Sequence, residues 1–328
     1  MRRLTWLLLA AGGALVLARR SRPTYDFSDR VVLITGGSRG LGLALARELA
    51  SRGARLALVA RDADELSRAA AGLSGPSPFE VFTVAADVGS EAGAQRAVAE
   101  TLVHYRRLDV LVNNAGVIQV GPLASLTAGD FEEAMRVNFF AALYLTLTAR
   151  AHLKRTGGRI VNIASVGGLV PVPHLSSYVA SKFALVGFSA ASRAELRRDG
   201  ITVTTVNPSL MKTGSPRQAQ VRGQAQAEYA MFAGLDHAPL ISVDAGTAAR
   251  RIVEAAALGI PELRLGGMAK LSALAYQLFP GLLQDGFALG ARFMPGAGPD
   301  RKTGAQSESP FTRRLPGKAL AEERLNQR

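Results

Sequence analysis

Tyr178 and Lys182 stand four residues apart in the run Tyr-Val-Ala-Ser-Lys. On a helix that spacing puts both side chains on one face. A free tyrosine titrates near pH ~10 and is a poor acid/base catalyst at neutrality. A neighbouring ammonium favours the phenolate and lowers that value, which gives the pair a chemical purpose. On its own, such a pair is more often a solvated helix face. Ser165 ends an apolar run thirteen residues earlier, where a hydroxyl could hydrogen-bond a substrate oxygen as it gains charge.

A second constellation lies near the start of the chain. Thr35-Gly36-Gly37-Ser38-Arg39-Gly40-Leu41-Gly42 follows one apolar run and opens a helical pattern. Gly36 and Gly40 allow tight turning and close backbone approach to a pyrophosphate, and Gly42 lets the helix pack near the strand. The helix N-terminus then offers free N–H groups and a positive dipole end to phosphate. Dinucleotide binding is the expectation. The next strand ends Val59-Ala60-Arg61. An NAD site usually carries an acid there for the ribose 2′-hydroxyl, and Ala60 cannot serve. Arg61 and Arg39 could instead clamp a 2′-phosphate. Asp62, one place later, either reaches the ribose or caps the following helix, and NADP(H) is favoured over NAD(H).

Six near-continuous Val/Ile/Leu runs must position these residues: Val31–Thr35, Arg55–Arg61, Phe79–Ala85, Asp109–Val112, Arg159–Ala164 and Ile201–Asn207, with Glu262–Leu265 as a weaker seventh. Such runs suit a sheet covered on both faces. Helical patterns alternate with them at Leu41–Ser51, Ala63–Ala71, Glu91–His104, Asp130–Arg150, Ser177–Arg198 and Asp244–Leu258. The alternation predicts an α/β fold, a three-layer, doubly wound parallel sheet of the Rossmann type, forming a single domain over 28–265. Ligands in such sheets bind outside the carboxyl ends of the strands, where the motifs fall.

Four further features complete the set: Asp87-Val88 at the end of the third strand, Asn113-Asn114-Ala115-Gly116 at the end of the fourth, Asn138 in the helix after it, and Pro208 at the end of the sixth. The ordered series of TGxxxGxG turn, Asp-Val, NNAG, helical Asn, Ser and YxxxK resembles the short-chain dehydrogenase/reductase family over about 28–265. The resemblance implies that Tyr178 exchanges the proton with the carbonyl oxygen and Ser165 positions and polarises it. Lys182 would bind the nicotinamide ribose and lower the tyrosine pKa, and Asn138 would hold a water linking Lys182 to a proton relay. Asp87 and Val88 would line the adenine site, Asn113, Asn114, Ala115 and Gly116 would shape the cofactor floor, and Thr213, after Pro208, would touch the nicotinamide amide. The family often has Pro-Gly where this chain has Pro208-Ser209. A homo-oligomer follows by the same analogy.

The chain of 328 residues has no cysteine, so no disulfide or thiolate chemistry is available, and its four scattered histidines predict no metal site. The formal charge is +13 with arginines clustered at the two ends, which favours a membrane surface over nucleic acid. Leu4–Ala18 is uncharged between arginine pairs. It reads as an uncleaved membrane anchor within a 1–22 segment, with the catalytic domain facing the cytoplasm, although a cleaved leader and a buried helix of a soluble cytoplasmic protein are both open. Met211–His237 is expected to be a mobile substrate lid. The apolar stretch 266–295, broken at Pro280-Gly281, forms a helical extension, either a packing surface or a hydrophobic mouth on the membrane. The polar stretch 296–328 is expected to be disordered.

The leading expectation is an oxidoreductase that interconverts a carbonyl and an alcohol on a hydrophobic substrate such as a lipid, steroid or long-chain ketone. The rival is a non-catalytic NAD(P)-binding redox sensor on the same fold, which has no need of a tuned tyrosine. A Ser–Lys hydrolase using Ser165 is a third, lacking an oxyanion-hole turn.

Overall fold

The computed structural model describes residues 24–76, 79–236, 242–315 and 325–326. Leu4–Ala18, with its anchor, leader and buried-helix readings, lies outside the described residues.

The seven apolar runs form one sheet: β1 (Val31–Thr35), β2 (Arg55–Ala60), β3 (Val81–Ala85), β4 (Val110–Asn113), β6 (Arg159–Ile163), β7 (Thr202–Pro208) and β11 (Glu262–Leu265). Their order is β11-β7-β6-β4-β1-β2-β3, every pair parallel. All five residues of β1 are buried, as a central strand covered on both faces requires. On one face pack α1 (Gly40–Ser51), α2 (Ala63–Ala71) and, further along the chain, α8 (Ala245–Leu258). Ala248, Ala249 and Ala256 are fully buried there, and their small side chains let α8 lie close. The other face is covered by α3 (Glu91–Tyr105), α5 (Ala141–Thr156) and α6 (Ser176–Leu196). Strand order reverses between β1 and β4, which opens a ligand crevice at their carboxyl ends.

The single helix expected over Asp130–Arg150 is divided. α4 (Ala128–Met135) and α5 are joined by a π turn at Arg136–Phe140. The apolar period runs through the join, so the sequence carries no sign of it. The wider turn sends Asn138 inward, where its Oδ1 accepts from Val117 N at 2.8 Å and its Nδ2 donates to Val117 O at 3.0 Å. These paired bonds offset the irregular helix turn.

Two other expectations need correction. The stretch read as a mobile lid contains β8 (Met211–Lys212), β9 (Gln220–Gly223) and α7 (Ala225–Asp236). β8 pairs with β10 (Val243–Asp244), and β9 lies between β5 (Gln119–Val120) and β12 (Asp300–Thr303). Val221, Tyr229 and Ala233 bury together under Leu315, so the few apolar residues there suffice for a local core. The second correction concerns 296–328, whose described part is ordered structure: β12 runs antiparallel to β9 and is followed by α11 (Pro310–Arg313). Hydropathy missed β12 because its stabilising groups are backbone amides and Arg301. That guanidinium reaches the buried Asp130 at 2.8 Å, and Arg222 reaches the same carboxylate at 2.9 Å. Burial alone would raise Asp130, but the Thr127 bonds and the two arginines outweigh it and hold the carboxyl at about 2. The small sheet flanks α6: Ser177 Oγ donates to Gln119 Oε1 at 2.6 Å and Gly121 N to His174 O at 2.8 Å. Between β11 and β12 lie α9 (Gly267–Leu278) and α10 (Pro280–Ala291), whose large apolar side chains are exposed.

Helix α7 carries two buried acids. Burial pushes both Glu228 and Asp236 up to about 7. Glu228 meets the His174 Nδ1 at 2.7 Å, and burial lowers that imidazole. Folded values above the unfolded ones mean that the native state holds extra protons. The contribution is complete in acid and is lost as pH rises through about 7. The melting temperature should therefore fall between pH ~4 and ~7 and level off above it, and Glu228→Gln should flatten that fall by on the order of 3 °C. Scanning calorimetry of both proteins across this range checks it; parallel profiles would contradict it.

Candidate active site

The glycine turn leaves β1 at Thr35. Gly36 and Gly40 adopt φ of 62° and 56°, a region that disfavours any side chain. A Cβ on Gly42 would stand 2.0 Å from Gly36 O and 2.6 Å from Asn114 Nδ2, so helix and turn meet at a separation that only glycine permits. The end of β4 locks this turn. Asn114 Nδ2 donates to Thr35 O and Gly36 O at 3.0 and 3.1 Å, while Thr35 Oγ1 accepts from the Asn114 and Ala115 amides at 3.0 Å each. Asn113 faces the core instead, where Nδ2 donates to Asn162 Oδ1 at 2.8 Å. Asn162 continues to Ser189 Oγ at 2.9 Å, and Ser189 to Thr205 Oγ1 at 2.6 Å. This buried polar chain ties β4, β6 and β7 to α6, and the sequence reading missed it.

At the far side of the turn, Asp62 accepts from Glu65 N at 2.8 Å and is the cap of α2. Arg61 is exposed beyond β2. Arg39 is paired: its NH1 lies 2.6 Å from Glu65 Oε1, and Ser38 Oγ donates to Glu65 Oε2 at 2.9 Å. Nothing in the sequence reading singled out Glu65, because the pairing joins a turn to a helix 26 residues away. Asp87 is exposed and Val88 buried at the end of β3. Burial works to raise Asp87, but Arg136 at 2.8 Å and the Gly89 N–H hold it below the usual carboxylate range.

The chemistry-bearing set converges at the ends of β4, β6 and β7. Ser165 follows β6, and its Oγ accepts from Gly167 N at 3.0 Å, leaving the hydroxyl proton free to donate. Tyr178 stands in the first turns of α6, and a Cβ on Gly167 would lie 3.3 Å from its Cε1 and 3.5 Å from Ser165 Oγ, so the ring and the hydroxyl border the same glycine. Burial pushes its phenol above the usual value while the neighbouring Ser165 hydroxyl pulls it down, so the lowering expected from Lys182 is not seen in the protein alone. Lys182 is 4% exposed, donates to Ile163 O at 2.9 Å, and lies 5.7 Å from the Tyr178 ring centre. Burial lowers its ammonium to about 8. Asn138 Nδ2 also donates to Ser181 Oγ at 2.9 Å, and Ser181 in turn donates to Tyr178 O at 2.7 Å. A Cβ on Gly116 would lie 2.9 Å from Asn138 Oδ1 and 3.7 Å from Lys182 Nζ, so the glycine keeps open a space bordered by both. Pro208 closes β7 opposite Leu265, and Ser209 N donates to Leu265 O at 2.9 Å, so strand pairing fixes the Pro-Ser backbone. Thr213 is buried just beyond.

Residues 30–222 match the model of the short chain dehydrogenase family. Levodione reductase of Leifsonia aquatica is 37% identical over 196 residues, 59% of this chain and 73% of its own length. The 11-beta-hydroxysteroid dehydrogenase-like 3 protein of Arabidopsis thaliana is 38% identical over 201 residues, 61% of this chain and 65% of its own. The crystal structure of levodione reductase superposes with a TM-score of 0.65 at 28% identity, covering 76% of this chain and 100% of the other. That of a short-chain dehydrogenase from Streptomyces avermitilis gives 0.68 at 27% identity, over 82% and 99%. With the parallel sheet and the strand-end cluster already described, this match means that the chain belongs to the short-chain dehydrogenase family, oxidoreductases that work between a carbonyl and an alcohol with a nicotinamide dinucleotide.

Proposed function

We propose that this protein reduces a hydrophobic ketone or aldehyde, or runs the reverse oxidation, with NADP(H), and that Tyr178 gives and takes the proton. The reading rests on one observation: the Tyr178 ring and the Ser165 hydroxyl border the same glycine, Gly167, beside the buried ammonium of Lys182. The residues present fit a dinucleotide. The Leu41 and Gly42 amides precede the first rung of the helix ladder, Leu43 N to Arg39 O at 3.2 Å, and are available to phosphate. Gly36, Ser38, Gly40 and Gly42 would receive the pyrophosphate end, Asp87 and Val88 the adenine, Asn114, Ala115 and Gly116 the floor, and Pro208 and Thr213 the amide. When bound, the cofactor supplies the hydride.

The chain does the rest. Ser165 donates to the carbonyl oxygen and holds it beside Tyr178. The Tyr178 Oη passes its proton to that oxygen as negative charge develops. Lys182 binds the ribose hydroxyls and stabilises the phenolate left behind. Asn138 is a positioning residue that fixes Val117 and Ser181. Gly116 leaves Asn138 and Lys182 facing one another without a side chain between them, where a relay water would link the two.

Two finer points carry separate support. Ala60 offers no acid at the end of β2, and the exposed Arg61, with Arg39 shared with Glu65, offers charge to a 2′-phosphate, which favours NADP(H). The exposed Leu271, Leu274, Leu278, Phe279, Leu282 and Phe293 of the α9–α10 region favour an apolar substrate reached from a lipid surface. Among the described residues no helix is long and apolar enough to cross a membrane, so anchoring would rest on Leu4–Ala18, with the catalytic domain on the cytoplasmic side. In a soluble protein the same apolar face would cover a second copy of the chain. A panel from small aldehydes to steroidal and long-chain ketones, followed by loss of NADPH absorbance, tests the proposal. Turnover should be best on the larger apolar ketones, with a lower KM for NADPH than for NADH. A lower KM for NADH overturns the cofactor preference, and turnover confined to small polar aldehydes overturns the substrate class.

A further inference from the structure

We infer that Glu65, held in place by the C-terminal pair Leu325–Asn326, determines specificity at the adenosine end of the cofactor site, opposing a 2′-phosphate by keeping Arg39 neutralised. The inference rests on the dinucleotide reading above and deepens it.

Ser38 and Arg39 form the crest of the glycine turn, and both spend their side chains on one carboxylate: Glu65 takes Ser38 Oγ at 2.9 Å and Arg39 NH1 at 2.6 Å. Glu65 has little freedom to leave. Its own amide is fixed by Asp62 at 2.8 Å, and its side chain is only 13% exposed against 33% for Arg39.

The end of the chain makes the pairing rigid. The amide of Asn326 donates to Ser38 O at 2.9 Å and to Glu65 O at 3.1 Å. One side chain thus bridges the backbones of the two residues whose side chains are already joined. Arg68 Nε holds Asn326 Oδ1 at 3.4 Å, and Leu325 O accepts from Gly40 N at 2.9 Å. Leu325 is 7% exposed and belongs to the core cluster of Leu41, Leu45 and Leu66. Asn326 has a φ of 55°, a conformation asparagine tolerates better than most residues. A buried leucine and four hydrogen bonds make a docked element.

The consequence is electrostatic. The guanidinium that would attract a 2′-phosphate already faces a carboxylate, so an arriving phosphate must displace Glu65 or sit beside a like charge. A 2′-hydroxyl meets no such opposition, because it can donate to the same carboxylate. Arg39 therefore draws the phosphorylated cofactor and Glu65 tempers that draw, with Asn326 setting how firmly it does so.

Calorimetric titration with 2′,5′-ADP and with 5′-AMP isolates this end of the site from the nicotinamide chemistry. Glu65→Gln should tighten 2′,5′-ADP about tenfold while changing 5′-AMP by less than about threefold. Asn326→Ala, a change at the chain's edge that spares the core, should move 2′,5′-ADP in the same direction by about threefold. An unmoved ratio of the two affinities in Glu65→Gln overturns the inference, and an unmoved ratio in Asn326→Ala overturns the part assigned to the chain end. Wild-type protein that binds 5′-AMP and 2′,5′-ADP but gives unchanged variants sinks this inference alone. Wild-type protein that binds neither sinks the dinucleotide reading and this inference with it.

Discussion

Tyr178→Phe should lower kcat by about a thousandfold, within the range set by loss of a general acid, while the dissociation constant for NADPH changes by no more than about threefold. The substitution removes one oxygen. The ring keeps its place at the start of α6, and Lys182 keeps its bond to Ile163 O. Ser165 keeps its bond from the Gly167 amide, so a measured loss reports the missing proton and not a collapsed pocket. Rapid-mixing kinetics with a good ketone, alongside fluorescence titration of NADPH, separate the two quantities. Turnover within about tenfold of the wild type would mean that another group moves the proton.

Gly42→Ala should have the next largest effect, and on a different quantity. Its Cβ would stand 2.0 Å from Gly36 O and 2.6 Å from Asn114 Nδ2, and both of those groups are fixed by bonds between the turn and the end of β4. Relief requires α1 to move away from the turn. Overpacking of this kind costs about 1–3 kcal/mol, and the shift should weaken NADPH by at least about tenfold, because the amides that receive phosphate move with the helix. Gly187→Ala is the control. A Cβ there meets nothing within 4 Å, and alanine favours a helix interior. Denaturant titration and NADPH binding on both variants check the contrast. Equal stability and equal affinity in Gly42→Ala would contradict the close packing of turn and helix.

The scaffold was legible because burial on both faces writes itself into a strand as an unbroken apolar run. Val31–Thr35 and Val110–Asn113 are buried throughout and needed only their composition and flanking turns, whereas Glu262–Leu265, half charged and at the sheet edge, was the weaker signal. The strand-end residues were legible for a related reason: a sheet of this type delivers whatever follows each strand to one rim. What escaped notice depends on pairings between distant parts of the chain. The π turn that aims Asn138 leaves the helical period intact. Glu65 looked like one more acid at the start of a helix until Arg39 and Ser38 were seen on it. β12 looked like a polar tail because a strand added at an edge is held by its backbone and by Arg301 on Asp130, and neither leaves a hydrophobic trace. The lowering of the Tyr178 pKa was the one electrostatic expectation that burial reversed.

The small sheet beside α6 bears on what the relatives can teach. Its β5 and all but the last residue of β9 lie within residues 30–222, the stretch that matches the family, whereas β12 lies beyond it. The glycine turn and the ends of β4 and β6 lie inside that stretch. The flank next to Tyr178 joins residues of that stretch to residues beyond it, fastened by an arginine on either side of the boundary to a single aspartate. A change in β12 can therefore be felt beside Tyr178 through that aspartate and the small sheet, so the family match speaks for the large sheet and its strand ends more than for this flank.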